Sequence, residues 1–457
     1  MIAIKKQSEI KDFTSGNLTS HLVRFAVPVL LSHLMMVFLN TVDMIVVGQS
    51  GGEAGTSAVS IGGSVAMFLN AFIGGFASAA QVVIAMLIGS GEKKRISSLV
   101  STVCGFIFVA GIASMLIMLP LAETMLNLLN TPTEAYQGAL EYSRICLLGI
   151  LPIYAYHIIS AIFRGMGDSK HPLVFITVAC GLNIVLDIVF VLGFDMGVGG
   201  AALATVIAQL VSVILSSALL VKRRESYELN IKMRDFVKWN KKDLSRYVRL
   251  AIPMALNNSA IQIAIMVINA MTNDFGVSVS AFAGIRANIA TTVDLILGSV
   301  SAAGAMIIAQ NIAAGKIKRV NGVLLRVGAI TITVSLLLSA MFILFPNQLY
   351  GIFTSEPEVL KIVKPHMPIL LLSFATAGLR PITRSLIDGS GNKKINLIIA
   401  LLDAIVARIG FAILFGIVLD WGYMGFWFGT TLAELVPISI GAVFYLTGKW
   451  KKVPIKE

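Results

Sequence analysis

The sequence predicts an all-α polytopic membrane protein, with twelve transmembrane helices in two pseudo-symmetric six-helix bundles. Three observations predict it. Apolar stretches of about 20 residues or more, each sufficient to cross a bilayer as a helix, recur along all 457 residues. Lys and Arg collect in alternate loops between those stretches. The second half of the chain also repeats landmarks of the first at a spacing of 224–225 residues. Composition agrees: 56% of residues are hydrophobic and 13% charged, whereas a soluble chain of this size carries about 25% charged residues.

In chain order, spans are expected at 23–47, 58–88, 97–127, 139–163, 172–194 and 198–221. The second set is 248–273, 280–312, 321–345, 363–387, 395–419 and 423–447. QSGGEAGTS separates the first two spans, GSGEKKR the next pair, then NTPTEAYQ, FRGMGDSKHP and the FDMG turn. After the sixth span comes the longest charged segment, VKRRESYELNIKMRDFVKWNKKDLSRYVR. The second set is punctuated by TNDFGVS, AAGKIKR, PNQLYGIFTSEPEVLK, IDGSGNKKIN and LDWGY. The chain therefore divides into an N-lobe (1–221), a linker (222–247), a C-lobe (248–447) and a tail (448–457).

The net charge of +12 comes from Lys and Arg at the N-terminus (Lys5, Lys6, Lys11), at 92–95, 222–249, 316–319 and 392–394, and in the tail. The intervening loops hold none, apart from Lys361 at the edge of one. That alternation is the positive-inside pattern with both termini cytoplasmic. The basic balance thus reports topology, and the expected partners are the lipid bilayer and small molecules, with no nucleic acid. The N-terminal segment lacks the short apolar region of a signal peptide and reads as an amphipathic lead-in to the first span. Cys104, Cys146 and Cys180 fall inside spans without metal-like spacing and read as packing residues.

The repeat rests on four anchors. RFAVPVLL (24–31) matches RLAIPMAL (249–256), setting Pro28 opposite Pro253. GSGEKKR (89–95) matches AAGKIKR (313–319), FRGMGDSKHP (163–172) matches IDGSGNKKIN (387–396), and GVGGAALATVIAQLV (197–211) matches GYMGFWFGTTLAELV (422–436). Six spans return the chain to its starting side, so the repeats are parallel, a design found in secondary transporters.

A carboxylate near the centre of a span costs about 3 kcal/mol to insert, so its default reading is functional. Asp43 lies in LNTVDMIVVG with Asn40 one turn before it, and Asp187 lies in LNIVLDIVFVLG with Asn183 one turn before it. Spacings of three and four place each pair on one helix face. Tyr142 and Thr205 add hydroxyls at comparable depth. Two adjacent carboxyls do not both ionise cheaply, so such a site can carry a proton, or the same oxygens can hold Na⁺, which would make Asp43 and Asp187 metal ligands. In the second lobe Asp294 aligns with Asn70 and either meets a cationic substrate or pairs with Arg286, two turns earlier. Asp403, Arg408, Arg380 and Glu434 can neutralise one another, and the arginines leave an anionic substrate open. Met35 and Met266, with Met36, Met67 and Met306, suit an adaptable apolar wall.

NTVDMIVVG in the first span, the paired prolines, FRGMGDSKHP and LGFDMGVGGAALATVIAQ, in this order, resemble the MATE family of multidrug and toxic-compound exporters over essentially the whole chain. The resemblance implies a cation-coupled antiporter that exports amphipathic, often cationic drugs or toxic metabolites, with no enzyme activity and no cofactor beyond H⁺ or Na⁺. Carried over by motif from the DinF-like branch, the cation site is Asp43, Tyr142, Asn183, Asp187 and Thr205. The NorM-like branch uses acids on the seventh and tenth spans, and this chain has none in LNNSAIQIAIMVIN or LLLSFATAGLRPITRSL. Asp294 resembles the span-eight acid of some Gram-positive exporters, and Arg286, Met35 and Met266 complete the expected substrate contacts. A monomer is expected. The competing readings are a lipid-linked oligosaccharide flippase or organic-anion exporter of the same superfamily and, in another class, a non-transporting receptor or membrane enzyme. The last would need a nucleotide, metal or nucleophile motif; no P-loop, HExxH or Cys/His set occurs in the sequence.

Overall fold

The computed structural model describes residues 9–129 and 131–451, and its regular structure there is helical throughout. Lys5 and Lys6, and most of the 448–457 tail, lie outside the described residues. Nine helices are long and apolar enough to cross a bilayer among the described residues, or ten when the bent pair Thr133–Leu148 and Ile150–Gly165 counts as one span. The helix Leu18–Gly89 is itself two spans broken at Gly52 (φ 58°, ψ −147°). Val363–Ser390 has the length of a span but carries Lys364, Arg380, Arg384 and Asp388.

The spans are α1 (18–51), α2 (53–89), α3 (Lys94–Leu128), α4 (the pair Thr133–Leu148 and Ile150–Gly165, bent by 54°), α5 (Lys170–Gly193) and α6 (Gly197–Lys222). After them come α7 (Lys241–Asn273), α8 (Val277–Ala313), α9 (Ile317–Leu344), α10 (Val363–Ser390), α11 (Lys393–Val418) and α12 (Gly422–Leu446). The chain is a multi-pass membrane protein. Apolar side chains such as Leu116, Leu336 and Leu337 are more than 60% exposed, as suits a surface facing lipid. One expectation fails locally. QSGGEAGTS is not a loop: helix continues to either side of Gly52, where positive φ costs glycine little.

The repeat is written into the backbone. Positive φ occurs at Gly52 and Gly276, Gly91 and Gly315, and Gly167 and Gly391, each pair 224 apart. It occurs again at Asp195 and Asp420 and at Gly197 and Gly422, each 225 apart. Even a helix contact repeats. A Cβ on Gly200 would meet the Phe190 backbone at 3.2 Å, and one on Gly425 would meet Phe415 at 2.4 Å. Both fifth spans also end in π-helical turns, 188–193 in α5 and 402–409 and 414–418 in α11.

Two compact units emerge, with a composition that differs from a simple division at the linker. Among the described residues, unit one is 9–11 with 27–251, and unit two is 12–26 with 252–451. In unit one the linker segment is docked: Asp243 pairs with Arg95 at 2.5 Å and accepts from Ser98 Oγ at 3.0 Å, and the Tyr247 hydroxyl donates to Phe76 O at 3.2 Å. In unit two, Phe13 N–H donates to Gln310 Oε1 at 2.8 Å, Asn311 Nδ2 to Phe13 O at 3.1 Å, and Lys316 Nζ to Thr14 O at 2.9 Å. Specific backbone and charge partners explain why these short stretches leave their own halves. The core of unit two gathers aromatics from α8, α10 and α12, including Phe282, Phe374 and Trp427. In unit one a smaller cluster, with Val47, Val59, Val191 and Ala201, packs beside Tyr142.

Candidate functional site

In unit one, four spans bring their polar residues to one point. Asp43 (α1), Asn183 and Asp187 (α5) are fully buried, and Tyr142 (α4) is 5% exposed. The approach of α2 to α4 is close: a Cβ on Gly62 would stand 2.9 Å from Ala139 O and 3.1 Å from the Tyr142 side chain. Asp43 Oδ2 accepts from Thr205 Oγ1 (α6) at 3.0 Å and from the Tyr142 hydroxyl at 3.5 Å. Donor–acceptor matching turns the Asn183 amide so that Nδ2 lies 3.0 Å from Asp43 Oδ1 and 3.2 Å from Asp187 Oδ2, while its oxygen faces Thr205 N at 3.3 Å. One amide thus links both acids.

No Lys or Arg pairs with either acid among the described residues. Asp187 Oδ1 is buried with no partner there. The cluster therefore presents carboxyl and hydroxyl oxygens at one point, with Asp187 Oδ1 free of protein bonds among the described residues.

The structure brings together five of the six residues expected here. Asn40 is left out: it is exposed. Three residues are about 60° short of a full helical turn, so Asp43 faces inward while Asn40 stays outside the cluster.

Unit two holds a different polar system. Asp294 pairs with Arg380, so the expected partnership with Arg286 is not formed. Eight residues along a helix separate two side chains by about 12 Å, and Arg380 reaches Asp294 from α10 instead. Arg380 also meets Glu434 at 3.4 Å, Arg408 lies 4.0 Å from Glu434, and Arg408 Nε donates to Asp403 at 3.2 Å. The mutual neutralisation expected of these residues is what the structure forms. A small recess opens beside the chain of ion pairs, with Arg286, Asp294, His366 and Glu434 among its lining residues. Met35 and Met266 are half-buried and line neither this recess nor the smaller one around Asn70 and Tyr154 in unit one. Met306 is wholly buried packing and Met67 is exposed.

Sequence reasoning missed His366 and Trp427. His366, followed by the apolar run MPILLL within Val363–Ser390, was a weaker signal of the same kind as Asp187. Trp427, in the GYMGFWFG segment, gave none apart from the others.

Two blocks of the chain, 28–189 and 253–414, match the MatE family model. The chain is 26% identical over 448 residues to the probable multidrug resistance protein YpnP of Bacillus subtilis, covering 97% of this chain and 98% of that protein. It is 23% identical to the multidrug export protein MepA of Staphylococcus aureus, over 88% of each. Among solved structures, a MOP superfamily transporter from Pyrococcus furiosus matches with a TM-score of 0.87 and 22% identity, covering 98% of this chain and 100% of that one. A MATE crystal structure in the bent conformation matches at 0.87 and 23%, over 97% and 98%.

Proposed function

Because the chain belongs to the MatE family, we propose that it is a secondary antiporter of the cell membrane that exports amphipathic organic compounds, cations among them, in exchange for H⁺ or Na⁺. The coupling ion is taken up at Asp43 and Asp187, with Asn183, Thr205 and Tyr142 orienting the oxygens. The observation that carries this reading is the pair of adjacent carboxyls, fully buried and without a basic partner. A structural pair so deep in a membrane would be expected to carry its own counter-charge. Relatives named as multidrug resistance and export proteins support the substrate class. The alternation of Lys and Arg among the loops supports cytoplasmic termini.

In mechanism, loading the pair with one cation halves the charge of its two carboxylates. Unloading restores the charge and favours whichever arrangement of the spans exposes the pair to water. Export then follows if substrate and ion bind the same carrier in alternation. Asp294, engaged with Arg380, acts on cationic substrates through an ion pair already in place. Efflux of an ethidium-like dye from proteoliposomes, driven separately by a pH gradient and by a Na⁺ gradient, tests the reading. Dye movement indifferent to both gradients would overturn it. A second reading, export of organic acids, is favoured by Arg286, which forms no ion pair among the described residues.

A further inference from the structure

The recess of unit two is dipolar. At one end stand Asp294 and Glu434, already engaged: Asp294 by Arg380, and Glu434 by Thr376 Oγ1 at 2.8 Å and Arg380 at 3.4 Å. At the other end stand Arg286 and His366. Arg286 Nε is buried with no hydrogen-bond partner among the described residues, and neither are the two ring nitrogens of His366 partnered there. His366 is 1% exposed.

Both groups are held in place by aromatic packing. The Arg286 guanidinium lies 5.6 Å from the Trp427 ring centroid, and His366 packs edge-on against Trp427 at 5.3 Å and against Phe282 at 5.1 Å. A guanidinium fixed over an indole face has lost little freedom still to be lost on binding a ligand. Leaving its donor unmatched in a buried site is costly, and more so for a charged group. The ligand chemistry that removes this cost is an acceptor with negative charge, since charge-assisted bonds from Arg are the stronger kind.

We infer that Arg286 and His366 form a receptor for an acidic group, so that the recess takes amphipathic organic acids (carboxylates, sulfonates or phosphate monoesters). The acid sits at the Arg286 end and the apolar body lies along Ile289, Val293 and Phe374. This rests on reading the recess as a ligand site of the exporter. It adds a class of substrate that Asp294 alone would repel.

The test uses the full chain in nanodiscs, with empty discs as the blank. Equilibrium dialysis measures binding of naphthalene-2-sulfonate, its neutral sulfonamide and the cationic naphthalene-2-methylamine. The wild type is expected to bind the sulfonate at least tenfold more tightly than the sulfonamide. Arg286→Gln and His366→Phe each bring that ratio towards one, while Arg286→Lys keeps part of it. A wild-type ratio near one, or a ratio unchanged in Arg286→Gln, overturns the inference. If Arg286→Gln fails size exclusion, Arg286→Lys and His366→Phe decide by the same ratio. Gradient-driven dye efflux by the same preparation separates the two claims. Efflux without sulfonate preference sinks only the acid receptor, and sulfonate preference without efflux sinks only the antiporter.

Discussion

Replacing Asp187 by Asn separates folding from coupling. Asp187 accepts one hydrogen bond from Asn183, at 3.2 Å, and its second oxygen has no partner among the described residues. An amide of the same shape keeps that acceptor and puts an N–H where the unpartnered oxygen was. The structural loss is at most one neutral hydrogen bond, about 0.5–1.5 kcal/mol, and removing a buried acid offsets part of it. The loss to a bound cation is larger. A unit charge about 4 Å from a carboxylate, at an effective dielectric constant of about 20, is stabilised by about 4 kcal/mol. At about 1.4 kcal/mol per decade, Asp187→Asn should weaken cation binding by about three orders of magnitude. The expected outcome is a protein with near-native thermal stability that no longer couples dye efflux to either gradient. Efflux still accelerated by the gradient, in a folded Asp187→Asn protein, would refute the reasoning and return Asp187 to a packing role.

Asp294→Asn should reduce export of cationic dyes more than of neutral ones, because Arg380 then keeps only Glu434, 3.4 Å away, and the recess becomes more positive; equal losses for both dye classes would point to architecture alone. Gly425→Ala should destabilise the protein by about 2–3 kcal/mol, since the new methyl would lie 2.4 Å from the Phe415 backbone, while the repeat-related Gly200→Ala, 2.9 Å from Met196 Cβ and 3.2 Å from the Phe190 backbone, should cost less, about 1–2 kcal/mol; thermal unfolding in detergent compares them. In the turn between α4 and α5, burial opposes the charge on Asp168, but hydrogen bonds from His171 and Tyr227 (2.7 Å) hold its carboxyl below the usual range. A carboxyl lowered in the folded state gives stability that is present above its unfolded value of about 3.8 and is lost as pH falls through the folded value. Asp168→Asn should therefore lower the unfolding temperature at pH 6, and its deficit should vanish well below pH 3.8.

What the sequence revealed follows from which forces act locally. Spans and their alternation of charge were legible because each is decided by a single segment's apolarity and its flanks. Asp43, Asn183 and Asp187 were legible because an acid in hydrocarbon is anomalous wherever its partners are. Partner choice was not. Whether Asp294 meets Arg286 or Arg380 depends on how α8 and α10 are set together, and helix spacing along one chain says nothing of that. Asn40 shows the same limit in miniature: the correct face to within 60° still leaves a side chain outside a cluster. The QSGGEAGTS segment misled for another reason, since helix continued through polar and glycine residues to a single broken position.

The membership of residues 12–26 in unit two sets a schedule for synthesis. The ribosome makes Phe13 about 300 residues before Gln310 and Asn311, and at about 5–20 residues per second that interval is about 15–60 s. Throughout it, the opening segment has no Gln310, Asn311 or Lys316 to bind. Unit one's residues 27–251 are complete well before then, whereas unit two closes only when a stretch made at the outset comes back to it. Residues 12–26 are thus among the last to settle, and a ribosome-bound chain stopped before α8 should leave them open to protease while the later-made α2–α6 are already protected.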